Sequence, residues 1–228
     1  MQFASILGAK LTAYTPEIHA RKGETIMKNV ITISREFGSG GRTIGKMVAE
    51  ALGYKFYDSE LINEVVKESG ISREFVEKYD EYATHKNSIL FSIAVNAGGD
   101  GYNGLSIANR VQIAQINVIK QLADEGKCVI IGRGADYILR DRDDCLNVFI
   151  RADMDFKARR VLEAYGETDV KIEKRLTDKD ARRRVFYRSF SMREWGALEN
   201  YHLMLDSGMI GLENCADIIA KVATLDDQ

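Results

Sequence analysis

With 228 residues, 45% of them hydrophobic, the chain can bury one sizeable core, and a single α/β domain with a flexible insertion suits it better than two independent domains. A net charge of −2 excludes a global field that would draw the protein to nucleic acid, and no apolar run is long enough to cross a membrane. Cys128, Cys145 and Cys215 are odd in number and lack metal-ligand spacing, which reads as reduced, mostly buried thiols of a cytoplasmic protein.

Residues 1–26 hold the chain's one proline, Pro16, and show no convincing period. They also lack the basic start and long apolar core of a secretory leader. They are expected to form an N-terminal extension that the chemistry does not need, ahead of a domain over 27–228. Met27-Lys28-Asn29 leads into Val30–Ser34, an alternating run that predicts a short buried strand. A glycine cluster follows, and Thr43–Leu52 then predicts a helix closed by Gly53.

A strand feeding a glycine-rich turn at a helix N-terminus is the usual way a protein holds phosphate. Glycines let the backbone approach the oxygens, and free N–H groups and the helix dipole favour an anion. Gly38, Ser39, Gly40, Gly41, Arg42 and Thr43 are therefore the candidate nucleotide-binding residues. The run approximates a Walker A loop, but Gly41 stands where the lysine belongs. Arg42 comes next and can reach the phosphates as a fork rather than a point charge, while Thr43 offers a hydroxyl for magnesium. A ligand-free αβ turn and a dinucleotide-binding turn are the rival readings. The second has Gly38-Ser39-Gly40 and Asp58 in its favour, and Thr43 in its third glycine position against it.

Further along, Tyr54–Tyr57 predicts a second strand ending at Asp58, Ser59 a helix cap running to about Glu68, and Ser72 another running to about Tyr82. Residues 98–104 read as a glycine-rich loop, either linker or substrate flap. Ile107, Val111, Ala114, Val118 and Leu122 recur at helical spacing up to Gly126. Cys128–Ile131 and Leu146–Ile150 are apolar runs suited to central parallel strands. A helix from about Asp153 to Tyr165, a polar helical region over 168–194, a last strand at His202–Leu205 and a helix over Leu212–Val222 complete the chain. Strands alternating with helices imply a parallel, doubly wound sheet, whose ligands bind beyond the strand C-termini. The glycine loop, Asp58 and Gly132-Arg133 all fall there.

These segments carry a resemblance to the cytidylate kinase-like family of P-loop kinases. It rests on Ile-Ser-Arg-Glu-Phe-Gly-Ser-Gly-Gly-Arg at 33–42, Phe-Tyr-Asp at 56–58 and Val-Ile-Ile-Gly-Arg-Gly-Ala-Asp-Tyr-Ile-Leu at 129–139. Asp-Lys-Asp-Ala-Arg-Arg at 178–183 and Tyr-His-Leu-Met-Leu-Asp-Ser at 201–207 complete it. The resemblance implies a P-loop NTPase-type three-layer α/β/α fold with a five-stranded parallel sheet. It also implies an acceptor-binding region over about 58–106 and a lid over about 168–194. Asp58 takes the place of an acidic residue near acceptor and metal, with helix capping as its alternative role. Arg133 and Asp136 are similar to an Arg-Asp pair that recognises the acceptor nucleotide, here spread apart by Gly134 and Ala135. Arg175, Arg182 and Arg183 look like lid arginines that close on the transferring phosphate; a solvated helix face is the rival reading. Arg35 either joins the phosphate site or pairs with Glu36 or Asp58.

Two departures stand out: the missing loop lysine, and Ile131-Gly132 where a Walker B acid would end the third strand. Arginines and magnesium can still supply the charge that phosphoryl transfer needs. His19, His85 and His202 read as structural or exposed. The expected activity is transfer of the ATP γ-phosphoryl group, with magnesium, to a small phosphorylated acceptor, CMP or dCMP first. Arg42, Arg182 and Arg183 would act on the phosphates, and Asp58, Arg133 and Asp136 would bind the acceptor. A degenerate nucleotide sensor without turnover, a kinase for another small metabolite and, last, a dinucleotide-dependent oxidoreductase are the alternatives.

Overall fold

Short apolar runs become five parallel strands: β1 (Val30–Arg35), β2 (Lys55–Tyr57), β3 (Cys128–Ile131), β4 (Cys145–Arg151) and β5 (Leu203–Asp206). The computed structural model describes residues 28–58, 60–81 and 107–225. The expected extension at 1–26, the Ser59 cap and the glycine-rich stretch at 98–104 lie outside the described residues. The strand order is β2-β3-β1-β4-β5. β1 is central, with Val30 level with both Cys128 and Cys145. Every strand therefore ends on the same edge of the sheet.

The helices are α1 (Gly41–Leu52), α2 (Glu60–Ser69), α3 (Arg73–Glu81), α4 (Ile107–Glu125), α5 (Ala135–Ile138), α6 (Met154–Tyr165), α7 (Ile172–Ser191), α8 (Ser207–Ile210) and α9 (Leu212–Ala223). Alternation along the strands divides the core in two. Ile31, Ile33, Val129, Ile131, Val148 and Ile150 pack with Ile44 and Val48 of α1 and Ile219 of α9. On the other face Val30, Cys128, Ile130, Cys145 and Phe149 pack with Leu61 and Val65 of α2 and Val111, Val118 and Ile119 of α4. This is the three-layer α/β/α arrangement that the resemblance implies. All three cysteines are free and buried. Among the described residues, no helix is long and apolar enough to cross a membrane.

Element boundaries differ from expectation where the backbone turns sharply. Helix α1 starts at Gly41, two residues early, because Gly40 at φ 81 swings the loop directly into helical geometry and its carbonyl accepts from the Ile44 N–H. Gly53, at φ 66, ends that helix by donating to the Ala49 and Glu50 carbonyls. Helix α7 is shorter than the polar region that contains it and stops at Met192, which is left-handed at φ 58. Helices α5 and α8 span four residues each, too few to leave a period in the sequence.

Candidate active site

The site is assembled where β1, β3 and β4 end, around residues 35–43. The loop is held from below by buried polar groups. Glu36 accepts from the Ala152 N–H at 3.2 Å and from Lys157 Nζ at 2.9 Å. Asp180, on α7, accepts the Phe37 N–H at 2.7 Å. Ser39 is fully buried, and its hydroxyl faces the carbonyls of Glu36 (2.9 Å) and Ile150 (3.1 Å). The Ser207 hydroxyl donates to the Ser39 carbonyl at 2.5 Å. The Ser39 side chain thus shapes the loop from inside and does not face its mouth.

Gly38 and Gly40 have φ of 87° and 81°, where L side chains are strained, and a Cβ on Gly38 would stand 2.9 Å from the Lys157 carbonyl oxygen. The first helical bond of α1 belongs to the Ile44 N–H. The amides of Gly41, Arg42 and Thr43 make up the first turn before it, where N–H groups have no intrahelical partner and the dipole is positive. Such a turn is chemically suited to an anion.

Guanidinium groups ring it. Arg42, largely exposed, places Nε 2.7 Å from Asp58 Oδ2, and Arg35 Nη2 lies 3.9 Å from Asp58 Oδ1. Asp58, expected at the acceptor, is therefore a carboxylate shared by two arginines. Arg160 of α6 donates Nη2 to the Thr43 hydroxyl at 3.4 Å. Thr43, the expected magnesium ligand, thus sits beside a cation. Among the described residues no three His, Cys, Asp or Glu side chains group as a metal site. A magnesium ion here would find the Thr43 hydroxyl, now facing Arg160, as a protein ligand and would depend on other oxygens for the rest of its shell.

Beyond β3, Gly132, Arg133 and Gly134 are all left-handed, at φ 67, 55 and 66. Arg133 is the strained member of this run, at a cost of about 1 to 2 kcal/mol. Its carbonyl accepts from Gln115 Nε2 at 3.2 Å, which fixes the turn. Asp136 lies beneath that turn rather than in the cleft. It is 2% exposed and accepts from Ser34 Oγ at 3.2 Å and Tyr187 Oη at 2.7 Å. Loss of solvent pushes its pKa up to about 6, against the pull of those two hydrogen bonds. Bonded in this way, the carboxylate ties β1 to α5 and α7.

The three arginines expected in a lid are placed differently. Arg183 donates Nη1 to the Arg35 carbonyl at 3.0 Å, contacts Asp180 at 3.4 Å and lies over the Phe37 ring. Arg182 is exposed. Arg175 donates to the Gly166 carbonyl at 2.8 Å and so caps the end of α6. Sequence reasoning missed Glu36, Lys157, Arg160, Asp180 and Ser207 as loop supports. One signal was present: Lys157 and Arg160 are three apart after a strand, and Asp180 and Arg183 are three apart, so each pair shares a helix face.

A five-stranded parallel sheet with an amide cradle at the end of its central strand and arginines around it defines a P-loop kinase scaffold. The sequence profile of the cytidylate kinase-like family matches residues 30–209, and the chain belongs to that family. It is similar to the cytidylate kinase of Archaeoglobus fulgidus, 27% identical over 196 residues that cover 84% of this chain and 92% of the relative. It is also similar to the cytidylate kinase of Pyrococcus horikoshii, 26% identical over 181 residues, 79% of this chain and 80% of the relative. Among solved structures, an uncharacterized protein from Eubacterium ventriosum shares the fold with a TM-score of 0.65 at 28% identity, covering 86% of this chain and 98% of that one.

Proposed function

We propose that the protein transfers the γ-phosphoryl group of ATP, with magnesium, to a nucleoside monophosphate, CMP or dCMP first. The amide cradle of Gly41, Arg42 and Thr43, with a guanidinium on either side of it, carries this reading. The relatives' shared name, cytidylate kinase, supports the choice of acceptor.

In this scheme the loop amides and Arg42 hold the β- and γ-phosphates. Arg160 reaches the same phosphates from α6, and Arg133 grips the acceptor phosphate from its fixed turn. An acceptor phosphate oxygen forms a bond to the γ-phosphorus as the β,γ-bridging P–O bond breaks, and ADP leaves with that electron pair. Beside Thr43, a magnesium ion brought with the nucleotide would supply positive charge against the phosphates. The protein's share is positioning and electrostatics, so no general base need be found. Arg182 and Arg183 approach from α7; Arg183 acts chiefly by fixing the loop, given its bonds to Arg35 and Asp180.

The test is a coupled ADP-release assay over nucleoside monophosphates and other small acceptors, with and without magnesium. Magnesium-dependent ADP formation with CMP or dCMP above all others supports the proposal. Turnover with a different acceptor selects a metabolite kinase. Tight nucleotide binding without ADP selects a sensor, a reading favoured by the apolar Ile131 and Gly132 at the end of β3, where an acid would hold water and metal.

A further inference from the structure

The loop lysine is missing for a steric reason. Gly41 is not left-handed, so its backbone does not demand glycine. A Cβ there would instead stand 2.5 Å from Arg35 Cβ and 2.9 Å from Arg35 Cγ. The contact with Cβ is the decisive one, because the backbone fixes that atom and no rotamer change can move it away. The Arg35 stem fills the ground that a side chain at position 41 would need.

The far end of the same side chain lies against the second departure, where Gly132 is itself left-handed at φ 67. A Cβ on Gly132 would overlap Arg35 Nη1, with Arg35 Cζ 3.1 Å away. Gly132 closes β3, where an acid would otherwise stand. The Arg35 guanidinium therefore runs from the loop, across the end of β3, to Asp58, with Nη2 3.9 Å from Asp58 Oδ1. Its own carbonyl is fixed by Arg183 Nη1 at 3.0 Å. Only a fifth of the side chain is exposed, which is little for an arginine at a strand end. The two glycines that break the ordinary loop pattern thus border the two ends of one side chain.

We propose that Arg35 supplies, from the end of β1, the charge that a loop lysine ordinarily brings, and that its guanidinium contacts the phosphoryl group passing from donor to acceptor. This rests on the kinase reading above. Arg35 lies between the donor loop and the Gly132–Gly134 turn, so it reaches the group in flight, whereas Arg42 and Arg160 flank the cradle. Asp58 holds the fork of Arg35 and Arg42 in place until phosphate oxygens take over as acceptors. The bond changes are those given above, and Arg35 supplies charge and N–H donors only. A guanidinium opposite transferring phosphate is commonly worth 10³- to 10⁵-fold in turnover.

The test compares wild type with Arg35→Met, Arg35→Lys and Arg35→Ala, using ADP release at saturating acceptor and calorimetric titration with pyrophosphate. Arg35→Met should lose about 100-fold or more in kcat while KM for ATP moves about threefold or less. Arg35→Lys should regain at least about a tenth of wild-type turnover. Added guanidinium ion should restore Arg35→Ala saturably, which a purely structural residue would not allow. Wild-type turnover in Arg35→Met overturns the assignment, as does a lysine variant no better than methionine together with no guanidinium rescue. Those results leave the kinase reading standing. If wild type binds pyrophosphate but releases no ADP with any acceptor, the kinase reading fails and the Arg35 assignment falls with it. A wild type that neither binds nor turns over removes both.

Discussion

Asp136→Asn changes one charge inside the protein and almost no volume. Asp136 is buried beneath the Gly132–Gly134 turn, and its pKa stands at about 6 against an ordinary 3.8, chiefly because burial penalises the charged form. The folded state therefore holds the proton more tightly than the unfolded state. Ionisation costs the fold about 3 kcal/mol well above pH 6, since each pKa unit is worth about 1.4 kcal/mol. That cost falls as pH drops through 6 and is gone below the unfolded value. Between pH 7.5 and pH 5 the linkage amounts to roughly 1 to 2 kcal/mol. Asparagine carries no such ionisation, and its amide can still accept from Tyr187 and donate to Ser34 Oγ. Urea unfolding at both pH values isolates the effect, because every other carboxylate is common to the two proteins. The stability difference, Asp136→Asn minus wild type, should shrink by roughly 1 to 2 kcal/mol on going from pH 7.5 to pH 5. A difference that stays constant would show that Asp136 is not a buried acid with a raised pKa.

Arg42→Ala should cut kcat/KM for ATP by about 100-fold, measured by ADP release; unchanged kinetics would remove Arg42 from the phosphate site. Gly134→Ala should destabilise by about 2 to 4 kcal/mol in urea, since its φ is +66 and a Cβ would overlap the Phe190 ring. Lys157→Met leaves the Glu36 carboxylate without its cation and should cost about 3 kcal/mol by the same assay. Asp180→Ala should make the Phe37 amide exchange with deuterium about 10- to 100-fold faster, because a charge-assisted bond is worth about 1.5 to 3 kcal/mol. Protection equal to wild type would mean that α7 does not hold the loop.

The sheet was legible because buried parallel strands leave short apolar runs. Cys128–Ile131 is read end to end, and the other strands to within one or two residues. The glycine loop was legible for the same kind of reason, since positive φ and close backbone approach leave glycines behind. What supports the loop was not. Asp180 reaches Phe37 across 143 positions and Lys157 reaches Glu36 across 121, and no local pattern announces such pairs. Ser39 looked like a phosphate ligand because small polar residues fill such loops, yet its hydroxyl is turned to the carbonyls of Glu36 and Ile150. Asp136 was expected as half of a recognition pair through the family resemblance, although Gly134 and Ala135 spread it from Arg133. The left-handed run at 132–134 sends the two residues to different depths. Arg35 could not be assigned, because Gly41 and Gly132 gain their meaning only once its side chain is seen between them.

The amide cradle can be watched directly by titrating ¹⁵N-labelled protein with magnesium-ATP and following the backbone amide resonances. Saturable shifts concentrated at Gly40, Gly41, Arg42 and Thr43, with amides at the opposite end of the sheet near Lys28 and Lys127 unmoved, are the predicted result. Loop resonances that stay fixed at millimolar nucleotide would contradict phosphate binding at the end of β1.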